Sequence, residues 1–175
     1  MEVSRKGIER NKLTLLHILR EFGTRLSDNQ LLEMVTDLDL MGYFDLNSCL
    51  RDLADNGLLN RDEAINGIFY SITEMGGETL DFFKKQLPFS LREELKTFAE
   101  EHRDEFSMQS RIFSEYLEIG EHQFRVILRL VENSIPIFEI TFFANSKQEA
   151  EMYVNSWRKN AFEIYENTFR GLMKK

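Results

Sequence analysis

The chain has 175 residues, 42% of them hydrophobic and only two proline, which suits one large or two small folded domains and excludes a disordered polymer. Its formal net charge of −8 is unfavourable for a nucleic-acid binder, whose affinity comes largely from lysines and arginines neutralising phosphates. The single cysteine excludes an internal disulfide framework, no apolar run approaches the roughly 18 residues of a membrane span, and no secretory h-region follows Met1, so a cytoplasmic protein without a membrane partner is expected.

Met1 to Arg10 is polar and reads either as a frayed terminus or as a basic arm, with Arg5, Lys6 and Arg10 touching DNA backbone. From Asn11 the chain turns apolar. Leu13, Leu15, Leu16, Ile18, Leu19 and Phe22 leave little polar face, so this helix must be buried on several sides and is the expected centre of the fold. His17 falls in the same run and reads as a core histidine.

Leu26 to Thr73 sets the architecture. Ser27 with Gln30 is a capping box, and Leu31, Leu32, Val35 and Leu38 follow as one helical stripe. After a bend at Leu40–Tyr43, Asp45 is the expected N-cap of a second helix. That helix buries Leu46, Cys49, Leu50 and Leu53, and Gly57 stands where a left-handed residue ends it. Leu58-Leu59, a polar tip from Asn60 to Gly67 and the alternating Ile68-Phe69-Tyr70-Ser71-Ile72 then predict a β-hairpin. Helix, turn, helix, hairpin is the winged helix-turn-helix plan.

On that plan the second helix, about 45–56, reads DNA, with the wing at about 58–72. Its outward residues include Asn47, Ser48 and Arg51, whose side chains suit adenine, phosphate and guanine respectively. Asn60, Arg61 and Asn66 are the wing candidates. Asp45, Asp52, Asp55, Asp62 and Glu63 oppose this reading by repelling phosphate, although Asp52 is placed to hold Arg51 or accept from cytosine. Cys49 lies on the inward side and reads as a small core residue rather than a redox sensor.

Beyond the hairpin, Thr73 or Glu74 starts a helix with the stripe Leu80, Phe83, Leu87 and with Phe82 beside it. Pro88 stops it, and Ser90 with Glu93 opens another, buried through Leu91, Leu95, Phe98 and Phe106. The division into domains is expected here, as 1–87 and 88–175. From Arg111 the period becomes two. Phe113 to Gly120, Phe124 to Leu130 and Phe138 to Phe142 predict a three-stranded antiparallel meander, with Arg125 and Arg129 on one face as cross-strand ion pairs or an anion platform. Ser146 with Glu149 caps a long last helix. Ala150, Val154, Trp157, Ala161 and Ile164 make the seam that covers the sheet. Tyr153, Phe162, Tyr165 and Phe169 make a second stripe, read as a homodimer contact or as the lining of a pocket for an apolar effector. The fold class is therefore α+β: an N-terminal winged helix-turn-helix, a helical linker, and a three-stranded antiparallel sheet covered by a long C-terminal helix.

No enzyme, cofactor or metal site is expected. His17, His102 and His122 are scattered without H-x-x-x-H spacing, Cys49 lacks a base, and Gly76-Gly77 lacks a phosphate-loop context.

The runs NKLTLLHILREF, LSDNQLLEMV, YFDLNSCLRDLADNGLL and YSITEMGGETLDFF resemble winged-helix regulators of the MarR and PadR type. The Leu-x-x-Leu pattern ending in Gly57-Leu58-Leu59 and the Thr73-Glu74-x-Gly76 turn carry that likeness. More narrowly, the whole chain is similar to an uncharacterised family of Gram-positive bacteria, a domain of unknown function with a winged-helix N-terminal half. The resemblance implies a bacterial transcriptional regulator; the outward residues of 45–56 add double-stranded DNA as its expected partner, and the second aromatic stripe of the last helix adds a homodimer. Two alternatives stay open: a winged helix turned to protein–protein binding, as the acidity suggests, and a small-molecule-binding regulator using its C-terminal α/β part.

Overall fold

A computed structural model describes residues 2–64, 67–132 and 135–173, and side chains from Gly7 onward. The described residues are α+β, with six α-helices, a single 3-10 turn and two three-stranded antiparallel sheets. They form two contact-dense units, Met1–Ser107 and Met108–Lys175.

The first unit is organised around α1, Glu2–Phe22. Leu13, Leu15, Leu16, Ile18, Leu19 and Phe22 are all buried, as an apolar circumference requires, and α1 packs against several other elements of the unit. A two-residue strand β1, Leu26–Ser27, leads into α2, Asp28–Asp37. Ser27 Oγ accepts from Gln30 N at 3.2 Å while Gln30 Oε1 accepts from Ser27 N at 3.0 Å, which completes the expected capping box. The Gln30 amide also donates to the Phe106 carbonyl at 2.7 Å, so one residue both caps α2 and ties down α5, Phe89–Gln109.

α3, Tyr43–Asp55, buries Leu46, Cys49, Leu50 and Leu53. Gly57 has φ +71°, and two backbone bonds close the end of the helix: Gly57 N to Ala54 O and Leu58 N to Leu53 O, both 2.9 Å. This is the Schellman arrangement that a glycine at that position favours. The hairpin is β2, Leu59–Ala64, and β3, Gly67–Ile72, and β1 extends its sheet in the order β1-β3-β2. α4, Glu74–Phe83, follows with Thr73 as N-cap. Gly76 in its first turn lies so close to the chain before β2 that an added Cβ would sit 2.1 Å from the Leu58 carbonyl oxygen.

Several expectations need correction. The start of the chain is helical, since α1 already runs from Glu2. The N-cap of α3 is Gly42, without a side-chain cap, and Asp45 lies inside the first turn, where its charge still favours the helix dipole. Asn60 to Ala64 is strand rather than polar tip, since β2 registers Asn60 with Ser71 and Arg61 with Tyr70. Phe83 is exposed against Phe82, because the chain tightens into the 3-10 turn Lys84–Gln86 and shifts the helical spacing before Leu87 reaches the core. Ser90 is not a cap either: the Pro88 carbonyl accepts from Arg92 N at 3.2 Å, and α5 begins at Phe89. Nor does the chain divide after residue 87. Leu87, Leu91, Leu95, Ala99 and Phe106 belong to the first core, and Phe106 stacks on Phe22 at 5.3 Å, so the first unit runs on to Ser107.

The second unit is a meander of β4, Ile112–Gly120, β5, Gln123–Glu132, and β6, Ile135–Ala144, in the order β4-β5-β6. Phe124, Val126, Leu128 and Leu130 lie buried beneath α6, Lys147–Met173, which contributes Ala150, Val154, Trp157 and Ala161. Ser146 Oγ caps α6 by accepting from Glu149 N at 3.1 Å, but Glu149 reaches back to Asn145 N at 2.8 Å rather than to Ser146. The second aromatic stripe is not surplus. Tyr153 packs edge-on to Phe142 at 4.9 Å, Tyr165 to Phe138 at 5.4 Å, and Phe169 tilts against both Phe138 and Tyr165. Long aromatic side chains reach around α6 to the same sheet face, which removes that stripe as an argument for a dimer contact or an effector pocket.

Candidate functional site

α3 and the hairpin meet in an open cleft of about 280 Å³ lined by Asn47, Arg51, Ala54, Asp55, Arg61 and Tyr70. Helical spacing carries Asn47, Arg51, Ala54 and Asp55 along one side of α3. Arg61 and Tyr70 come from the other wall, as directly paired residues of β2 and β3 that share a sheet face. Tyr70 is buried in the core, so the floor of the cleft is fixed while its rim stays open.

Three of the residues singled out for DNA contact therefore converge: Asn47, Arg51 and Arg61. The Asn47 amide donates to the Tyr43 carbonyl at 2.9 Å, which orients it and leaves its oxygen available. Arg61 is committed in part. It pairs with Glu63 at 2.7 Å, and hydrogen bonds to Glu63 and then Tyr70 raise its pKa above the usual arginine value. Arg51 is exposed, and no ion pair among the described residues holds it. Asp52 pairs with Lys12 of α1 at 3.0 Å rather than with Arg51, so it does not position Arg51. That pair offsets one of the carboxylates on α3.

The remaining candidates lie elsewhere. Ser48 is exposed on α3 outside the cleft lining. Asn60 sits at the base of the hairpin, next to the Leu59–Ile72 pair, on the opposite face of β2 from Arg61, and its amide donates to Ser71 Oγ at 3.3 Å. Arg10 is exposed on α1. Asn66 and the side chains of Arg5 and Lys6 lie outside the described residues. Two exposed aromatics escaped sequence reasoning: Tyr43 and Phe44, at the start of α3, are 58% and 85% exposed and stack edge-to-face at 5.6 Å. Reading that segment as a bend hid them, and Gly42 before them was the available signal for an earlier helix start.

Other polar groups settle into structural roles. Cys49 is buried, and desolvation pushes its thiol up to about 11. His17 is buried beside Glu21 and the Arg92 carbonyl, and burial lowers its pKa. Arg129 bridges Glu139 and Glu115 across the sheet, and its hydrogen bond holds the Glu139 carboxyl below the usual range, so Arg129 is a cross-strand ion pair rather than an anion platform. Among the described residues no three His, Cys, Asp or Glu side chains converge as a metal-binding group, and no helix is long and apolar enough to cross a membrane.

An α+β chain with a cleft between a surface helix and a hairpin defines an architecture, not an activity. Residues 11–172 match the family described as a domain of unknown function, DUF4364, and the chain belongs to that family. Among curated proteins and solved structures, no match to the chain is found.

Proposed function

We propose that the first unit is a winged helix and that the chain is a DNA-binding transcriptional regulator acting as a homodimer. α3 is the reading helix and the β2–β3 hairpin is the wing. One observation carries this reading: Asn47, Arg51 and Arg61 reach the same outward cleft from two elements, with Arg51 unpaired among the described residues. Arginine is suited to bidentate contact with guanine and asparagine with adenine, and a surface helix flanked by a hairpin fits a major groove beside a phosphate backbone. The similarity to MarR- and PadR-type regulators in the α3 and Thr73–Gly76 segments supports the same reading.

Charge works against it. From Tyr43 to Ile72 there are two arginines against five carboxylates. The Lys12–Asp52 and Arg61–Glu63 pairs lessen that excess locally without removing it. A second reading rests on Tyr43 and Phe44, whose exposure at the start of an acidic helix suits a basic, apolar protein partner. Fluorescence anisotropy on random duplex DNA separates the two. A DNA-docking face loses affinity as salt rises, with a log–log slope of about −0.9 per phosphate neutralised. Absence of binding at about 50 mM salt, where phosphate contacts are strongest, overturns the DNA reading.

A further inference from the structure

Each of the two sheets leaves two edge strands, and three of the four carry a feature that discourages a further strand. β1 has two residues. β2 presents Asn60, Arg61, Asp62 and Glu63 along its length. β4 holds Glu118, beyond the Glu115 that Arg129 also pairs, and has a register irregularity between Glu118 and Gly120. Short edges, edge charges and bulges are the usual defences against strand addition. β6 is different. It pairs with β5 and with no other strand of its sheet. Its one charged residue, Glu139, is already held by Arg129. Pro136 is its second residue, beside the register shift at Leu130/Val131, so the clean stretch is Ile137 to Ala144. On the face away from α6, Ile137 and Phe143 remain 39% and 63% exposed.

We propose that β6 pairs antiparallel with β6 of a second copy of this chain, centred on Ile140, to make one six-stranded sheet. Residue alternation selects the register. Shifts by one residue would bring side chains from opposite faces together. Centring on Glu139 would set the two Glu139 carboxylates against each other, and centring on Thr141 would carry Ile137 past the end of the partner strand. Centring on Ile140 places Ile137 opposite the partner's Phe143, Glu139 opposite the partner's Thr141 and Phe138 opposite the partner's Phe142. Pro136 falls at the end of the ladder, opposite the partner's Ala144. The contact is isologous, so each of these favourable pairs occurs twice and no like charges stand directly opposite each other. The inference supplies the dimer that the proposed regulator needs, yet it stands on β6 alone, so duplex binding and self-association fail or succeed separately.

Sedimentation equilibrium of the full chain, mass 20.7 kDa, with Thr141→Glu and Thr141→Arg tests this. The wild type is expected at twice the chain mass. Thr141→Glu sets a carboxylate opposite the partner's Glu139 at two places and raises the dimer dissociation constant roughly fivefold or more, while Thr141→Arg leaves it unchanged or lowers it. If Thr141→Glu does not fold, judged by circular dichroism, Phe143→Lys at the exposed end of the same contact replaces it and must also weaken the dimer. A monomeric wild type at about 100 μM, or a dimer indifferent to the sign of the charge at position 141 or to Phe143→Lys, overturns the proposal.

Discussion

Gly76 and Gly77 stand next to each other in the first turn of α4, and opposite effects are expected from the same substitution. A Cβ on Gly76 would lie 2.1 Å from Leu58 O and 3.0 Å from Ile72 Cγ1, whereas a Cβ on Gly77 meets nothing within 4 Å. Leu58 O also accepts from Thr73 N at 3.1 Å, and Thr73 Oγ1 accepts from Gly76 N at 3.0 Å and donates to Gly57 O at 2.8 Å. Gly76→Ala therefore cannot be relieved by rotating a side chain: α4 has to move away from backbone, straining the bonds that join the end of α3, the start of the hairpin and the start of α4. Overpacking against a fixed neighbour costs about 1–3 kcal/mol, and weakening the cap adds about 1 kcal/mol. Against these stands a gain of at most about 1 kcal/mol in helix propensity. The net expectation is a loss of about 1–4 kcal/mol for Gly76→Ala and a gain of up to about 1 kcal/mol for Gly77→Ala. Urea unfolding followed by far-ultraviolet circular dichroism reads both. Equal midpoints for the two variants, or a Gly76→Ala protein as stable as wild type, would refute the close-approach argument.

Two further expectations follow from buried titratable groups. Cys49, with its thiol raised to about 11 by burial, should stay unreactive to a disulfide reagent at about pH 8 in the native protein and react fully once unfolded; rapid native labelling contradicts its core placement. His17 has a folded-state pKa below 6.5, so the unfolded chain binds the extra proton more readily. Stability is then fully present above about pH 6.5 and falls as pH drops below it towards the folded-state value. The groups facing the ring are Glu21, which favours its protonation, and Arg20 and Arg92, which oppose it. His17→Gln should flatten the change in urea midpoint between about pH 7 and pH 5, above the main carboxylate range; an undiminished slope assigns the loss to other residues.

Sequence alone exposed the parts of the fold that are local. The Ser27–Gln30 capping box, Gly57 at the end of α3, the meander and the Ala150–Ala161 seam each rest on a spacing of a few residues that the chemistry of caps, turns and pleats dictates. What escaped was set by distant partners. β1 is too short to show an alternation and exists because Leu26 and Ser27 pair with Tyr70 and Phe69. β2 is charged throughout its exposed middle and reads as a turn until β3 is placed beside it. α5 follows a proline and looks like the start of a new domain, yet Leu91, Leu95 and Phe106 complete the core around α1. Of the cleft, Asn47, Arg51 and Arg61 were legible as outward polar residues, but not their convergence with one another and Tyr70, nor the Lys12–Asp52 pair that crosses between helices.

The most direct measurement for the proposed regulator is the affinity of Arg51→Ala for the tightest duplex selected from a randomised pool, compared with Arg125→Ala, an exposed arginine of the second unit. If α3 reads bases through the cleft, Arg51→Ala loses about 1–3 kcal/mol of binding and relaxes sequence preference at one position, while Arg125→Ala stays close to wild type. Equal losses at both positions, or none at Arg51, would contradict α3 as the reading helix.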